Sequence, residues 1–196
     1  MVAPPSIPNE RLTDWRRTSD AMETPFSAGG VTVTARILCY EDDRLRDAVR
    51  ERTGIDRGWR FFLAARLTLD PAPPVTSALR GLVAARASHG FVDRLTERGF
   101  AAVDCVERRS FRIGDEDARL FGYDAQCRVD GVTLSVDGWL AVWAPDRTFR
   151  LAGGAYPTGV DRVASTTPQG AADALAEHLE PSTFRAELFD LIRGVR

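Results

Sequence analysis

The second half of the chain alternates apolar and polar residues with the two-residue period of β-strands. Four such runs follow one another, over residues 102–113, 117–129, 132–143 and 148–156, with turn-forming residues between them. Consecutive strands that are joined by short turns pair antiparallel. The pattern therefore predicts an antiparallel meander over residues 102–156.

The first half of the chain predicts two more strands and a long helix. Val31–Tyr40 and Trp59–Leu69 are rich in β-branched and aromatic residues, whereas residues 13–22 are polar and are not assigned to a strand. Between Val75 and Arg98, apolar side chains recur at steps of three and four, and we expect this stripe to pack against the sheet. The members of the stripe are Leu79, Leu82, Val83, Ala87, Phe91 and Leu95.

Shorter helices complete the predicted fold. One is expected to begin at Asp42–Asp43 and to end at Gly54, and two C-terminal helices are expected to begin at Thr167–Pro168 and at Ser182. The resulting expectation is an α+β fold with an antiparallel sheet of five to seven strands. The long central helix and the C-terminal helices are expected to pack on the Val/Leu/Tyr face of this sheet.

Two Asp-Gly pairs in the meander decide how its middle strands pair. A two-residue turn at Asp130–Gly131 sets Phe121 opposite Leu140 and makes one face of the strand pair continuously apolar. The same register sets Val129 opposite Val132. The first Asp-Gly pair is therefore predicted to be a turn.

The second pair, Asp137–Gly138, falls inside a strand in this register. A further turn at Pro145–Asp146 would set Leu151 opposite Leu140, again apolar against apolar. Loops of three and of four residues after Ile113 give different faces. The register of the strand over residues 102–113 is therefore left open.

Composition favours one globular domain. The chain has 196 residues, of which 44% are hydrophobic, and this is enough for a single core. Residues 1–11 are rich in proline, and we expect a flexible N-terminal segment followed by a single α+β domain over residues 12–196.

The charged residues exclude several function classes. All 26 basic residues are arginine, so Schiff-base chemistry and the lysine of phosphate-binding loops are excluded. The 28 acidic residues nearly balance the arginines, which argues against binding to nucleic acid or to an anionic membrane. No apolar run is long enough for a membrane span or a signal peptide, and we expect a cytoplasmic protein.

Reactive side chains are few and scattered. Three cysteines without a CxxC pair favour reduced thiols, and the two histidines, His89 and His178, belong to no metal-binding motif. No serine stands in a nucleophile elbow. The sequence therefore predicts no catalytic residue, no metal and no cofactor.

The order of elements, a helix followed by a meander that contains the run Gly122–Trp143, resembles the layout of PsbP-like proteins and related small α/β/α sandwiches. It also resembles uncharacterised proteins of halophilic archaea. Members of such families are mostly non-catalytic accessory or binding proteins, and the resemblance implies a role of that kind. It carries no functional residue across.

One face of the meander departs from what solvent exposure requires. Asp124 and Asp137 lie opposite each other, where like charges destabilise a sheet unless Arg128 and Arg150 on the same face compensate them. Aromatic residues share this face, which is either covered by the chain's own N-terminal segment or a helix, or used for contact. The candidate binding residues are Asp124, Asp137, Trp139, Trp143, Arg150 and Tyr156.

We therefore expect a non-catalytic binding or accessory protein that uses this face, with an unidentified protein partner or through self-association. The alternative is an enzyme that acts on a small molecule through Asp124 and Asp137 with an arginine clamp. A deep cleft at these acids, together with a raised carboxyl pKa, would favour the enzyme.

Overall fold

A computed structural model describes residues 2–28, 30–163 and 171–196. The strands of this part of the chain are β1 (Trp15–Ala28), β2 (Val31–Asp42), β3 (Phe61–Asp70), β4 (Phe100–Ile113), β5 (Glu116–Val129), β6 (Val132–Trp143) and β7 (Phe149–Val163). The helices are α1 (Asp43–Thr53), α2 (Ser77–Glu97), α3 (Ala171–Glu177) and α4 (Pro181–Gly194), with short 3-10 turns at Asn9–Arg11 and Pro145–Arg147.

The strands form one antiparallel sheet in the order β1-β2-β3-β7-β6-β5-β4. The predicted α+β fold is therefore confirmed, and the meander occupies one half of the sheet. In the described part of the chain, no helix is both long and apolar enough to cross a membrane.

Helices α2 and α4 pack on opposite faces of the sheet, which corrects the prediction that both cover the Val/Leu/Tyr face. On one face, the Ser88 hydroxyl of α2 lies 2.7 Å from the hydroxyl of Tyr123, and the Phe91 ring centroid lies 5.2 Å from that of Tyr123. On the other face, Leu188 of α4 packs directly against Gly154. The molecule is thus a three-layer α/β/α sandwich.

The predicted register of β5 and β6 is confirmed. Val129 pairs with Val132, and Phe121 pairs with Leu140. The connecting turn has positive φ angles at Asp130 and Gly131, as a type I′ turn requires.

The pairing of β6 with β7 differs from the prediction by two residues. Leu140 pairs with Gly153 rather than with Leu151. The reason is that β6 and β7 are joined by a longer connection with a 3-10 turn at Pro145–Arg147, and the pair next to this connection is Trp143 with Arg150. A shift of two residues preserves the face of every side chain. The predicted division of the meander into two faces therefore holds.

The turn between β4 and β5 fixes the register of β4, which the sequence left open. Ile113 pairs with Glu116 around a two-residue turn, and Gly114 takes a positive φ of 59° in it. Neither the three-residue nor the four-residue loop is formed. A glycine at the first central position is what a type II′ hairpin turn needs.

The chain before β2 adds an edge strand that the polar pattern did not indicate. Residues 15–28 pair with β2 over nearly their whole length. Within residues 1–11, Val2 is buried, and Ser6 and Arg196 exchange two backbone hydrogen bonds of 2.8 Å. The flexibility expected of this segment stays a prediction.

The predicted helix starts are only partly seen. α1 begins as expected, because the Asp42 carboxylate accepts a hydrogen bond from the Leu45 amide at 2.9 Å, and Gly54 ends the helix. The start predicted at Thr167–Pro168 lies outside the described residues. The last helix begins at Pro181, so the Ser182 hydroxyl does not cap it.

Candidate functional site

Two aromatic residues of the predicted contact face, Trp139 and Tyr156, lie under helix α4. Trp139 and Tyr156 are 6% and 1% exposed, and Trp143 is also buried. The Trp139 ring centroid lies 5.2 Å from that of Phe189, and the Tyr156 ring centroid lies 6.3 Å from that of Phe184. Of the two possibilities that the sequence left open, the structure has the covered one, and these rings belong to the core.

Asp137 ends a short chain of hydrogen bonds on this covered face. Trp139 Nε1 donates to the Tyr156 hydroxyl at 3.3 Å, and that hydroxyl donates to Asp137 Oδ2 at 3.4 Å. Asp124 lies directly opposite Asp137, as predicted. Burial, and secondly the charge of Asp124, raise the pKa of Asp137. Burial also raises the pKa of Tyr156 to about 12.

Arg150 does not compensate the two carboxylates, which corrects the prediction. It pairs across strands with Trp143 and Arg66, whereas Asp137 pairs with Tyr156. Asp137 and Trp143 are six positions apart on β6, a separation of about 20 Å along a strand. The positive charge that acts on Asp137 comes instead from Arg185 of α4. The six candidate residues therefore divide between two ends of the face.

A groove of about 860 Å³ lies on the opposite face of the sheet, between α2 and strands β1, β2, β3 and β7. We call it the α2 groove. Its floor is aliphatic and deeply set, with side chains that are only 3% to 8% exposed. The floor residues on β2 and β3 are Val33, Ala35, Ile37, Leu63, Ala65 and Leu67.

The position of α2 explains why the groove exists. Ser88 and Phe91 fix the helix over Tyr123 in the meander half of the sheet. The other half continues through β3 and β2 to the edge strand β1, beyond the width of one helix. Ala35 and Ala65 deepen the uncovered part, because a methyl group replaces the longer side chains of their neighbours.

Leu82 marks the rim of the α2 groove. The apolar stripe of α2 predicted a core position for this residue, but its side chain is 49% exposed and lines the groove. Gly90 lies on the same wall, and a Cβ added there would meet no atom within 4 Å. The α2 wall of the groove thus includes an exposed apolar side chain, Leu82, and a position without a side chain, Gly90.

An ion pair joins the two sides of the groove at its mouth. Arg94 Nη2 on α2 donates to Glu23 Oε2 on β1 at 2.6 Å. Arg86, Asp93 and Glu97 also line the groove. The rim therefore carries charges of both signs around an aliphatic interior.

A family model described as a domain of unknown function, DUF6517, matches residues 4–196. The chain belongs to the DUF6517 family. No curated protein matches the sequence of this DUF6517 protein. The resemblance to PsbP-like proteins stays a prediction.

Among the described residues of this DUF6517 protein, neither histidine belongs to a group that could hold a metal ion. Within residues 2–28, 30–163 and 171–196, no group of three or more histidine, cysteine, aspartate or glutamate side chains is placed to hold a metal ion. His89 lines the α2 groove, and its Nδ1 lies 2.8 Å from the carbonyl oxygen of Ala85.

The sequence contains two features of the α2 groove, but each of them indicates ordinary core packing. The stripe of α2 includes Leu79 and Leu82, which makes it wider than one contact with a sheet needs. Ala35 and Ala65 stand among larger apolar residues on their strands. Recognising the groove also required β1, whose polar sequence did not predict a strand.

Proposed function

We propose that the protein is a non-catalytic binding protein that takes a small, slender and mainly apolar molecule into the α2 groove. The observation that carries this proposal is a concave, aliphatic groove of about 860 Å³ with a deeply set floor. Small-molecule sites commonly have volumes of roughly 300–1,000 Å³ and apolar linings with a few polar groups at their edges. A binding role is also what the resemblance to PsbP-like proteins implies.

The depth of the groove favours a small molecule over a protein partner. A protein that docks on a surface needs exposed area, on the order of 800 Å² on each partner. The floor residues Val33, Ala35 and Leu67 are 8%, 3% and 7% exposed, so a broad surface cannot reach them. A narrow molecule can enter between α2 and the sheet and contact them.

The rim charges favour a ligand without a strong net charge. Arg94 is already held by Glu23, and acidic Asp93 and Glu97 stand on the same helix. An ionised head group of either sign would meet a like charge at the mouth. The apolar body of the ligand therefore supplies the binding free energy, at about 25 cal/mol for each Å² of apolar surface buried.

Titration with N-phenyl-1-naphthylamine, an uncharged dye that fluoresces in apolar surroundings, tests the proposal. We expect saturable binding to the wild-type protein. Gly90→Trp places an indole in the groove and should weaken binding by at least about tenfold, which corresponds to 1.4 kcal/mol. The helix tolerates the change, since tryptophan has a higher helix propensity than glycine.

Gly81→Trp is the matched control. Gly81 lies on the same helix, is exposed and does not line the groove. This variant should bind the dye as the wild-type protein does. Equal binding by both tryptophan variants, or no saturable binding by the wild-type protein, would contradict the proposed function.

A further inference from the structure

Three arginines stand side by side on the sheet face that lies opposite the α2 groove. Arg36 on β2 pairs with Arg66 on β3, and Arg66 pairs with Arg150 on β7. Directly opposed residues of antiparallel strands have their Cβ atoms about 4.5–5.5 Å apart, and like charges in these positions destabilise a sheet. The row therefore needs compensation by negative charge.

Of the three, only Arg36 forms a salt bridge within the described part of the chain. Arg36 holds the Asp20 carboxylate with two hydrogen bonds, of 2.9 Å from Nε and 3.0 Å from Nη2. Among the described residues, Arg66 and Arg150 form no salt bridge, and their buried Nε atoms have no hydrogen-bond acceptor. Burial, and secondly the charge of Arg66, lower the pKa of Arg150, whereas the charges of Asp146 and Glu116 act in the opposite direction. The net effect disfavours its charged form.

We infer that Arg66 and Arg150 form a binding site for a tetrahedral oxyanion of the phosphate type. Guanidinium groups bind oxyanions through two parallel N–H···O bonds, and each group needs two acceptor oxygens for this. A carboxylate has two oxygens and can therefore satisfy only one guanidinium group in this way. A phosphate group has enough oxygens for both arginines, removes their mutual repulsion and supplies acceptors to both Nε–H groups.

Thermal unfolding in phosphate, acetate and chloride at matched ionic strength tests this site. We expect phosphate to raise the melting temperature of the wild-type protein saturably above its values in acetate and chloride. Arg66→Gln and Arg150→Gln should each abolish this increment. In chloride, both variants should melt no lower than the wild-type protein, because the like-charge pair is gone.

Arg52→Gln is the control, since it makes the same change in charge at an exposed arginine that already pairs with Glu177. It should keep the phosphate increment. Glycerol phosphate in place of inorganic phosphate separates two sources of the anion. If glycerol phosphate raises the melting temperature as much as inorganic phosphate does, the site is open to the phosphate group of a larger molecule. A smaller rise with glycerol phosphate indicates a site for the free ion.

Equal melting temperatures in phosphate and chloride, or an increment that survives in both Arg→Gln variants, would overturn the inference. If the variants do not fold, phosphorus NMR of phosphate with the wild-type protein decides the question. Line broadening that sulfate reverses and chloride does not reverse supports the site. The absence of broadening overturns it.

Discussion

At the scale of single residues, Arg60 joins three elements from inside the core. Its side chain is 1% exposed, and it donates to Asp42 at 2.7 Å and to Glu187 at 2.8 Å. Its guanidinium carbon lies 5.0 Å and 4.2 Å from the ring centroids of Trp15 and Phe184. The start of β3 is thereby tied to the N-terminus of α1 and to α4.

Removing the charge of Arg60 should be costly because Asp42 would keep a buried carboxylate without its counter-ion. We predict that Arg60→Met lowers the free energy of unfolding by about 3–5 kcal/mol. Arg16→Met is the control, since Arg16 pairs with Asp43 at the surface, and its cost should stay below about 1 kcal/mol. Urea denaturation of both variants measures the two losses in free energy of unfolding. Equal losses would show that the buried Arg60–Asp42 pair contributes no more to stability than a surface pair.

The raised pKa of Asp137 predicts a pH dependence of stability. Burial and Asp124 raise the folded pKa above the value of 3.8 expected without the fold. The favourable contribution of the protonated carboxyl is therefore present below that value and is lost as the pH rises through the folded pKa. Asp137→Asn, which stays neutral, should gain melting temperature relative to the wild-type protein as the pH is raised from about 3 to about 7, because the wild-type carboxyl ionises at an unfavourable position.

The same comparison at about pH 3 is the internal control, because the wild-type carboxyl is then protonated. The difference in melting temperature should shrink toward zero there. A difference that is the same at both pH values would mean that the Asp137 side chain is not strained by its surroundings.

At the scale of elements, the meander could be predicted where a single turn set the register. Asp130–Gly131 allows a type I′ turn, and only that turn keeps Phe121 and Leu140 on one apolar face. The pairing of Leu140 with Gly153 could not be predicted, because the 3-10 turn at Pro145–Arg147 and a turn centred on Pro145–Asp146 leave the same faces apolar.

Helix α2 shows the same limit of pattern reasoning. Its periodicity predicted the helix and its apolar stripe, but not which stripe residues would meet the sheet. Phe91 is 2% exposed and packs against Phe61 and Tyr123, whereas Leu82 is 49% exposed at the rim of the α2 groove. The direction in which α2 crosses the sheet determines which stripe residues are buried and which are exposed.

Truncation of the two residues should reveal this difference. We predict that Phe91→Ala lowers the free energy of unfolding by about 3–5 kcal/mol through lost burial and the cavity that remains. Leu82→Ala should cost less than about 1 kcal/mol, because much of its side chain is already in water. Chemical denaturation of both variants measures the two costs, and similar values would show that α2 lies differently on the sheet.

At the scale of the whole molecule, one sheet separates two unlike surfaces. On one face, α4 covers the part that holds Trp139 and Tyr156, whereas on the opposite face α2 leaves a groove. The sequence predicted the aromatic face as the place of interest, since its tryptophans and paired acids departed from a solvent-facing pattern. The α2 groove could not be predicted, because it depends on the edge strand β1 and on where one helix crosses the sheet.

The central claim is that an apolar ligand binds in the α2 groove and not on the aromatic face. Methyl-resolved NMR of the wild-type protein, titrated with N-phenyl-1-naphthylamine, tests it most directly. We predict saturable shifts at the floor methyls of Val33, Ile37 and Leu67, and none at Leu188 or Ile192, which belong to α4 and are buried on the other side of the sheet. Shifts centred on the α4 residues, or the absence of saturable shifts at the floor, would contradict the claim.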